Sequence, residues 1–372
     1  MTETINAYAA SGVDTEAGDL AVSLMKKAVA ATHNSNVVGE LGGFAGMFDV
    51  SFLKTYERPL LATSTDGVGT KVAIAQAIDK HDTIGQDLVG MVVDDIVVTG
   101  AKSLFMTDYI ACGKIVPQRI ADIVRGIAEA CQQVDVALVG GETAEHPGLL
   151  GVDEYDVAGA ATGVVDTPKM LGAGRVQVGD IVLGLEASGF HSNGYSLVRK
   201  IVADSKLDYR KSVAEFGSNR SLGEVLLEPT RLYTGVLNRL LESELGASVK
   251  TMSHITGGGI AANISRVLPE GVSLDIDRAS WSPLEMFRVL ANWAKYDLRD
   301  LESTWNLGLG FAVVVKDKDA EAIAAQISAA GIKTWQLGII ESTPCDADRE
   351  GYTSEAKGTK GGAVRLNSRY AD

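Results

Sequence analysis

Residues 64–71 read STDGVGTK and follow a short apolar run that predicts a β-strand. Asp66 offers the oxygen ligands that a hard cation prefers. Two glycines allow backbone N–H groups to approach an anion, and a hydroxyl and an ammonium group add contacts for phosphate. We therefore predict a loop that meets a metal-bound polyphosphate; the alternative is a glycine-rich turn with solvated side chains. The phosphate contacts would come from Asp66, Gly67, Gly69, Thr70 and Lys71.

Length and charge narrow the class of protein. A chain of 372 residues is too long for one ordinary core, so two domains are expected. The formal net charge of −14 lacks the basic footprint of a nucleic-acid-binding protein, so we expect no nucleic-acid partner. The Walker A pattern G-x-x-x-x-G-K-[ST] is absent from the sequence, which argues against a P-loop nucleotide site.

The cysteines and the apolar segments bear on localisation. The three cysteines form no C-x-x-C pair, which is typical of reduced thiols. The first 16 residues lack the basic and apolar regions of a signal peptide, and no apolar run approaches 18 residues. We expect a cytoplasmic protein without a membrane span.

The order of predicted elements gives an α/β fold class. Residues 1–166 read as an α+β domain that carries the nucleotide loop and a mixed sheet. Residues 167–345 alternate strands and helices, which predicts a layered α/β domain. Residues 346–372 are polar and rich in Gly, Ser, Thr and Lys, which predicts a disordered tail.

A second acidic motif lies in a helix predicted over residues 83–99. The helix is apolar almost all round, so we expect it to be buried. At about 100° per residue, Asp94 shares a face with Asp87, whereas Asp95 lies among apolar neighbours. A carboxylate on an apolar face is costly to bury unless it meets a cation or hydrogen-bond donors, so a metal site is favoured over a solvated face.

Two further glycine motifs point to phosphate. Residues 37–46, VVGELGGFAG, predict either a mobile flap whose amides fold over phosphates or a flexible surface loop. A strand at 136–139 opens onto GGETAE at residues 140–145, which repeats the order of glycines, carboxylate and hydroxyl and predicts a second metal or phosphate contact.

The second half of the chain adds two polar turns. His191 precedes a turn and a helix; if exposed, its ordinary pKa near 6.5 suits proton transfer, although a surface histidine that caps a turn is the alternative. The triglycine at residues 257–259 precedes another helix and predicts an anion-binding nest or a plain turn.

Together these motifs resemble the phosphoribosylformylglycinamidine cyclo-ligase (aminoimidazole ribonucleotide synthetase) family. The resemblance covers about residues 5–345. It rests on residues 65–71, 138–145, 191–199 and 254–259, and less fully on residues 41–44 and 100–105.

The resemblance implies an ATP- and Mg²⁺-dependent ring closure in purine synthesis. ATP phosphorylates the formyl oxygen of an acyclic amidine ribotide, and a nitrogen of the same substrate displaces phosphate. It also implies a homodimer in which the N-terminal sheets pair. The implied roles are catalysis by His191, Asn193 and Asp95, ATP or phosphate binding by Gly42, Gly43, Phe44, Asp66, Gly67, Gly69, Thr70, Lys71, Gly140 and Gly141, substrate binding by Ser192, Gly257 and Gly258, and metal binding by Asp66, Asp95 and Glu142.

The sequence departs from the family pattern at three places. Asp94 stands where the family usually has Asn, Glu40 stands where it usually has Gly, and His146 stands where it often has Met. Two other functions are possible alternatives. The first is a different phosphotransferase of the superfamily, which includes selenophosphate synthetase, thiamine-monophosphate kinase and a hydrogenase maturation factor. The second is a catalytically silent nucleotide-binding or scaffold protein. The turn at residues 191–194 argues against the first, and carboxylates in costly places argue against the second.

Overall fold

A computed structural model describes residues 14–39, 42–342 and 351–371. The predicted alternation of helices and strands is confirmed. In chain order, the α-helices are α1 (Thr15–Ala30), α2 (Val72–Ile78), α3 (Ile84–Val97), α4 (Pro117–Gln133), α5 (Tyr195–Asp204), α6 (Leu222–Leu226), α7 (Thr234–Glu242), α8 (Gly259–Ser265), α9 (Glu285–Ala294) and α10 (Ala320–Ala329). The strands are β1 (Val37–Val38), β2 (Met47–Phe48), β3 (Pro59–Gly67), β4 (Lys102–Cys112), β5 (Ala137–Glu145), β6 (Tyr155–Asp166), β7 (Ile181–Glu186), β8 (Val249–His254), β9 (Val272–Asp277), β10 (Leu309–Val315), β11 (Thr334–Ser342), β12 (Thr353–Ala356) and β13 (Thr359–Asn367).

The first sheet is four-stranded, in the order β3-β6-β4-β5. Strand β6 is antiparallel to both β3 and β4, and β4 is parallel to β5, so the predicted mixed sheet is confirmed. Helix α3 packs on β3, β4 and β6, and α4 packs on α3. The nearly continuous apolar surface of α3 explains its burial, because both the sheet and the neighbouring helix cover it.

The second sheet is seven-stranded, in the order β12-β13-β9-β11-β7-β10-β8. Its residues alternate between two buried layers, as the period of a strand requires. In β10, Phe311 and Val313 join a core with residues of α7 and α10, whereas Ala312 and Val314 join the core that contains residues of α8 and α9. Helices therefore cover both faces, which confirms the layered α/β organisation.

The expected disorder of residues 346–372 is wrong for residues 351–371. Strands β12 and β13 form a hairpin, and β13 runs parallel to β9 at the edge of the second sheet. Ala363 and Val364 are fully buried there, so this polar segment still contributes apolar side chains to the core.

The first sheet ends at Asp166 and the second begins at Ile181, and the predicted domain boundary near residue 167 falls between them.

A buried ion pair of the first domain is held by loop residues of the second domain. Lys71 Nζ lies 2.7 Å from Asp87 Oδ1 of α3, and both side chains are fully buried. The ammonium also donates to the backbone carbonyls of His191 (2.9 Å) and Glu228 (2.7 Å). Asp87 Oδ1 in turn accepts from the N–H and hydroxyl of Thr230, at 2.9 and 2.7 Å.

We expect loss of the Lys71 charge to destabilise the fold. Lys71→Met leaves the Asp87 carboxylate buried without a cation, which should cost about 3–5 kcal/mol of unfolding free energy. Urea unfolding followed by circular dichroism measures the loss. The control is Lys80→Met, because Lys80 pairs with Asp82 at the surface and should change stability by less than about 1 kcal/mol. Equal losses in the two variants would contradict the structural role of the buried pair.

Candidate active site

Two carboxylates and a histidine from three separate elements meet at the edge of the first sheet. Asp66 lies near the end of β3, Asp95 lies in the last turn of α3, and His254 ends β8. His254 Nδ1 lies 2.9 Å from Asp95 Oδ1. Partial burial raises the pKa of Asp66, and the nearby negative charge of Asp95 raises it further. The hydrogen bond that the Gly67 N–H donates to this carboxylate acts in the other direction and lowers the pKa. The two acids therefore repel each other and form a natural place for a cation.

Helix α3 presents its acidic residues differently from our expectation. Asp95 is the exposed one, with 46% of its side chain accessible. Asp94 is fully buried and accepts hydrogen bonds from the Thr234 N–H (2.8 Å) and hydroxyl (2.6 Å), and from the Tyr233 N–H. Burial raises the pKa of Asp94 to about 6. The expected apolar environment of Asp95 is wrong: the start of α7 covers the side of the helix that carries Asp94, about 100° away, and leaves Asp95 accessible.

The sequence reasoning missed His254. Burial by itself lowers its pKa, but the hydrogen bond to Asp95 and the charges of Asp95, Asp94 and Asp66 outweigh burial and raise the pKa above its ordinary value. A histidine that donates to a carboxylate holds that carboxylate in one orientation. The available signal was its position, two residues before Thr256 of the glycine-rich turn.

A turn and a loop of the second domain lie beside this group. The Asn193 amide lies 3.7 Å from the sulfur of Met91 on α3, and a Cβ added to Gly257 would lie 3.6 Å from Asn193 Oδ1. Thr70 Oγ1 lies 3.3 Å from Ser196 Oγ at the start of α5. The structure thus brings the first glycine loop, the turn at residues 191–194 and the triglycine loop to one place.

The triglycine loop has the backbone expected of a tight turn. Gly258 and Gly259 have φ of +103° and +76°, and a Cβ on Gly259 would lie 1.6 Å from the carbonyl oxygen of Glu302. Gly257 and Gly258 are exposed. Their predicted contact with substrate, like that of Ser192, stays a prediction.

The expectation that His191 is exposed is wrong. Its ring is fully buried, its backbone φ is +58°, and Nε2 accepts the Ser188 N–H at 3.3 Å. Burial, and then the charges of His254 and Lys71, hold the pKa of His191 well below its ordinary value, so the ring is neutral. Since Nε2 is an acceptor, the proton lies on Nδ1, which has no hydrogen-bond partner in the described part of the chain.

Within the first glycine loop, the expected phosphate contact of Lys71 is also wrong. Its ammonium is inaccessible and already donates to one carboxylate and two carbonyls. Gly69 has the predicted left-handed backbone, with φ of +69°. Gly67 instead belongs to β3, where an added Cβ would lie 3.1 Å from the carbonyl oxygen of Val157.

The flap and the second glycine motif surround a different space. Residues 42–46 and 140–143 line one cavity of about 730 Å³, together with residues of α1. Glu40 and Leu41 of the predicted flap lie outside the described residues. Phe44 is completely exposed at this rim. The predicted phosphate-binding residues therefore fall into two groups: Gly42, Gly43, Phe44, Gly140 and Gly141 around this cavity, and Asp66, Gly67, Gly69 and Thr70 beside Asp95.

Sheet order explains why Glu142 does not join the two aspartates. Strands β6 and β4 separate β5 from β3, which places Glu142 about 14 Å across the sheet from the row of Gly67. In the described ranges, no three acidic, histidine or cysteine side chains are grouped closely enough to hold a metal ion. The prediction that Asp66, Asp95 and Glu142 together bind a metal ion is therefore wrong for Glu142.

Asp66 and Asp95 still fit a magnesium ion. Mg²⁺ keeps most of its water and is commonly held by one or two carboxylates together with substrate phosphates. The pair supplies hard oxygen ligands, and Asp95 is accessible and oriented by His254. Two carboxylates close to each other, without a lysine or arginine ion pair to either within the described ranges, match that chemistry.

A buried acid that the sequence reasoning passed over lies in the flap cavity. Asp108 stands opposite Gly141 in the parallel β4–β5 pair. Burial raises the pKa of Asp108 to about 7. A Cβ on Gly141 would lie 2.2 Å from Asp108 Oδ1, which explains the glycine at that position. The sequence feature that could have indicated this residue is a single acidic side chain inside a mostly apolar strand.

Comparison with protein families matches both halves of the chain. Residues 48–165 match the AIR synthase related protein N-terminal domain, and residues 177–346 match the AIR synthase related protein C-terminal domain. A phosphoribosylformylglycinamidine cyclo-ligase of Desulfitobacterium hafniense is 46% identical over 331 residues, covering 89% of this chain and 95% of that protein. The protein with the same name in Alkaliphilus oremlandii is 47% identical over 335 residues, covering 89% and 96%.

Solved structures share the fold at low identity. Thiamine-monophosphate kinase from Stenotrophomonas maltophilia superposes with a TM-score of 0.61 at 16% identity, covering 94% of this chain and 97% of that chain. The hydrogenase maturation protein HypE in complex with ATP superposes with a TM-score of 0.57 at 18% identity, covering 95% and 93%. These similarities concern the fold alone.

The two neighbouring aspartates of α3 should respond differently to mutation. Asp95→Asn removes an accessible carboxylate, and we expect turnover to fall by about 10²–10³-fold, the usual loss for a group that stabilises transition-state charge. Asp94→Asn keeps an oxygen acceptor for Thr234 and removes a costly buried charge, so turnover should stay within about threefold. Steady-state assays of both variants give the comparison. Equal losses, or a larger loss at Asp94, would contradict this ranking.

Proposed function

The chain belongs to the AIR synthase family, and from this membership we propose which of its residues carry out the reaction. The protein is an ATP-dependent cyclo-ligase of purine biosynthesis that forms a carbon–nitrogen bond. It converts formylglycinamidine ribonucleotide to aminoimidazole ribonucleotide and releases ADP and phosphate. The observation that carries the proposal is the meeting of Asp66 and Asp95 with the Asn193 turn and the triglycine loop.

We assign Asp66 and Asp95 to Mg²⁺ and the nucleotide phosphates. Bound Mg²⁺ would neutralise phosphate charge during phosphoryl transfer, which depends mostly on positioning and charge neutralisation. His254 holds the carboxylate of Asp95 in place through its 2.9 Å hydrogen bond. Gly69 and Thr70 are exposed and lie three and four residues after Asp66, and we assign their backbone N–H groups to the nucleotide side as well.

We assign the opposite side of the site to the ribotide. Asn193 offers an amide beside the exposed backbone of Gly257, which suits hydrogen bonding to a polar substrate. His191 is a positioning residue in this proposal: its carbonyl oxygen accepts from Lys71, and its buried ring supports the turn that presents Asn193. The ring closure then depends on holding the phosphorylated oxygen and the attacking nitrogen close together.

We also propose a cytoplasmic homodimer formed through the open face of the first sheet. Helix α3 covers the other face, whereas Thr63, Thr65, Thr107 and Tyr109 are exposed. The centre of this face is uncharged and of mixed threonine, alanine and aromatic character, which suits a protein interface. Cys112 and Cys131 are free thiols, which is typical of a reducing compartment such as the cytoplasm. Among the described residues, no helix is long and apolar enough to cross a membrane.

The reaction itself is the first test. Purified protein with ATP, Mg²⁺ and formylglycinamidine ribonucleotide should release ADP and form aminoimidazole ribonucleotide in equal amounts. Asp66→Asn should reduce this turnover by about 10²-fold or more, because an amide binds a hard cation poorly. The matched control is Asp208→Asn, an exposed aspartate that accepts a neighbouring backbone N–H at 2.9 Å, and it should be fully active. ADP release that does not depend on the ribotide would instead favour another phosphotransferase.

The dimer has its own test. Thr107→Arg introduces a charge at the centre of the open sheet face, and light scattering should show a monomer where the wild type is a dimer. Ala325→Arg, at an exposed position of α10, should leave the dimer intact. A Thr107→Arg protein that remains dimeric would place the interface elsewhere.

A further inference from the structure

One loop of the second domain contacts both parts of the proposed ribotide side. Residues 302–308 lead into β10, and we call them the 302–308 loop. A Cβ added to Gly259 would lie 1.6 Å from the carbonyl oxygen of Glu302, and a Cβ added to Gly194 would lie 2.4 Å from the indole ring of Trp305. The 302–308 loop therefore packs against the triglycine loop at one end and against the Asn193 turn further along.

Asn306 in this loop uses both ends of a buried amide. Its Nδ2 donates to the Gly189 carbonyl at 2.9 Å, and its Oδ1 accepts the Gly308 N–H at 2.9 Å. The Gly308 carbonyl in turn accepts the Ala187 N–H at 2.9 Å. Only 2% of Asn306 is exposed, so both amide bonds lie in the interior, where a lost partner is costly. The side chain therefore ties the segment that enters the Asn193 turn to the 302–308 loop.

The indole ring of Trp305 supports the Asn193 turn from both sides. It packs edge-on against Phe190, with the ring centroids 4.9 Å apart, and its Nε1 lies 3.5 Å from the Gly194 carbonyl oxygen. Gly194 has a left-handed backbone, with φ of +75°, and the ring occupies the space that a side chain would need there. Phe190 and Gly194 flank residues 191–193, so the buried indole fixes the backbone before and after Asn193.

Hydrogen bonds near both ends hold the 302–308 loop in place. The Arg278 guanidinium donates to Glu302 Oε2 at 2.8 Å, and the Tyr370 hydroxyl donates to Glu302 Oε1 at 2.6 Å. Trp281 Nε1 donates to the Leu307 carbonyl at 3.0 Å. These partners follow β9 and β13, so the second sheet sets the position of the loop. The loop is therefore a fixed support for the Asn193 turn and the triglycine loop together.

We propose that Trp305 and Asn306 are positioning residues for ring closure, which hold Asn193 at the distance from Gly257 that the ribotide requires. This inference rests on the proposed assignment of Asn193 and Gly257 to the ribotide. Both supporting side chains are buried, so they act through Asn193 and not through contact with the substrate. A displacement of about 1 Å in such a group can lower turnover by about 10²-fold, because ring closure requires the reacting atoms to be close and aligned.

The effect should fall on the ribotide and spare the nucleotide. The 302–308 loop contacts the Asn193 turn and the triglycine loop, whereas Asp66 and Asp95 belong to β3 and α3 of the first domain. A displaced turn therefore changes the ribotide side first. We expect a lower kcat and a higher KM for the ribotide, with nucleotide affinity within about twofold of the wild type.

Steady-state kinetics and calorimetry on the full chain test this distinction. Asn306→Ala removes both bonds of the amide, and Trp305→Leu removes the ring beside Gly194. Each should lower kcat by about tenfold or more, because Asn193 is no longer held in place. Trp305→Phe keeps an aromatic ring against Phe190 and should keep kcat within about threefold of the wild type. Calorimetry with Mg²⁺ and a nonhydrolysable ATP analogue should show unchanged binding in all three variants.

A second tryptophan of the same domain separates positioning from stability. Trp293 of α9 is partly buried and packs against Phe216, with the ring centroids 5.8 Å apart. Trp293→Leu should lower the melting temperature, as Trp305→Leu does, yet leave kcat and the KM for the ribotide unchanged. Circular dichroism shows which variants are folded at the assay temperature. If Asn306→Ala unfolds there, the comparison of Trp305→Leu and Trp305→Phe with Trp293→Leu decides.

Each result decides for or against the proposal. Unchanged ribotide kinetics in folded Trp305→Leu, or equal losses of kcat in Trp305→Leu and Trp293→Leu, would overturn it. A loss of nucleotide affinity as large as the loss of ribotide turnover would also overturn it, since that pattern marks general damage to the fold. A wild-type protein that forms no aminoimidazole ribonucleotide rejects the proposed function, whereas an active wild type with unaffected variants rejects only the positioning roles.

Discussion

The buried pair of Lys71 and Asp87 is the interaction on which the arrangement of the site depends. Lys71 closes the first glycine loop, Asp87 lies on α3, and both reach residues of the second domain. A buried ion pair tolerates little displacement, because each unpaired charge carries a large desolvation cost. The pair therefore fixes the distance between the loop that carries Asp66 and the turn that carries Asn193. Asp94, which accepts from Thr234, makes a second link of the same kind along α3.

One helix consequently serves two purposes. The face of α3 with Asp87 and Asp94 is covered by the second domain, and the neighbouring position, Asp95, remains accessible beside Asp66. A rotation of about 100° between successive residues separates an acid that holds domains together from an acid that can meet a ligand. The same rotation means that a shift of α3 would disturb both contacts at once. Stability and ligand binding are coupled at this helix for that geometrical reason.

The sequence predicted the elements well and their contacts less well. Helix periodicity located α3, predicted over residues 83–99, to within two residues at each end. The triglycine motif located a turn of the site, whereas the glycines at residues 140–141 lie inside β5. Side-chain burial across domains could not be predicted in this way, because Lys71 and Asp94 have partners more than a hundred residues away: Lys71 donates to the His191 carbonyl, and Asp94 accepts from Thr234. The order of the strands in the sheet could not be predicted either, because no residue near Glu142 in the sequence indicates that two strands separate it from β3. Composition misled us at the C-terminal hairpin, where exposed polar residues outnumber the few buried apolar ones.

The charge balance of the site connects these points. Asp66 and Asp95 bring two negative charges to a protein whose formal net charge is already −14, and both expected ligands are phosphates. A cation is needed near the carboxylates, and the lysine of the glycine motif cannot supply it because Asp87 and two carbonyls hold its ammonium in the interior. In the proposed function, Mg²⁺ would provide part of the required charge. The lysine of the glycine motif therefore contributes to the architecture of the site, and phosphate recognition is left to the accessible Asp95 and the exposed loop residues around it.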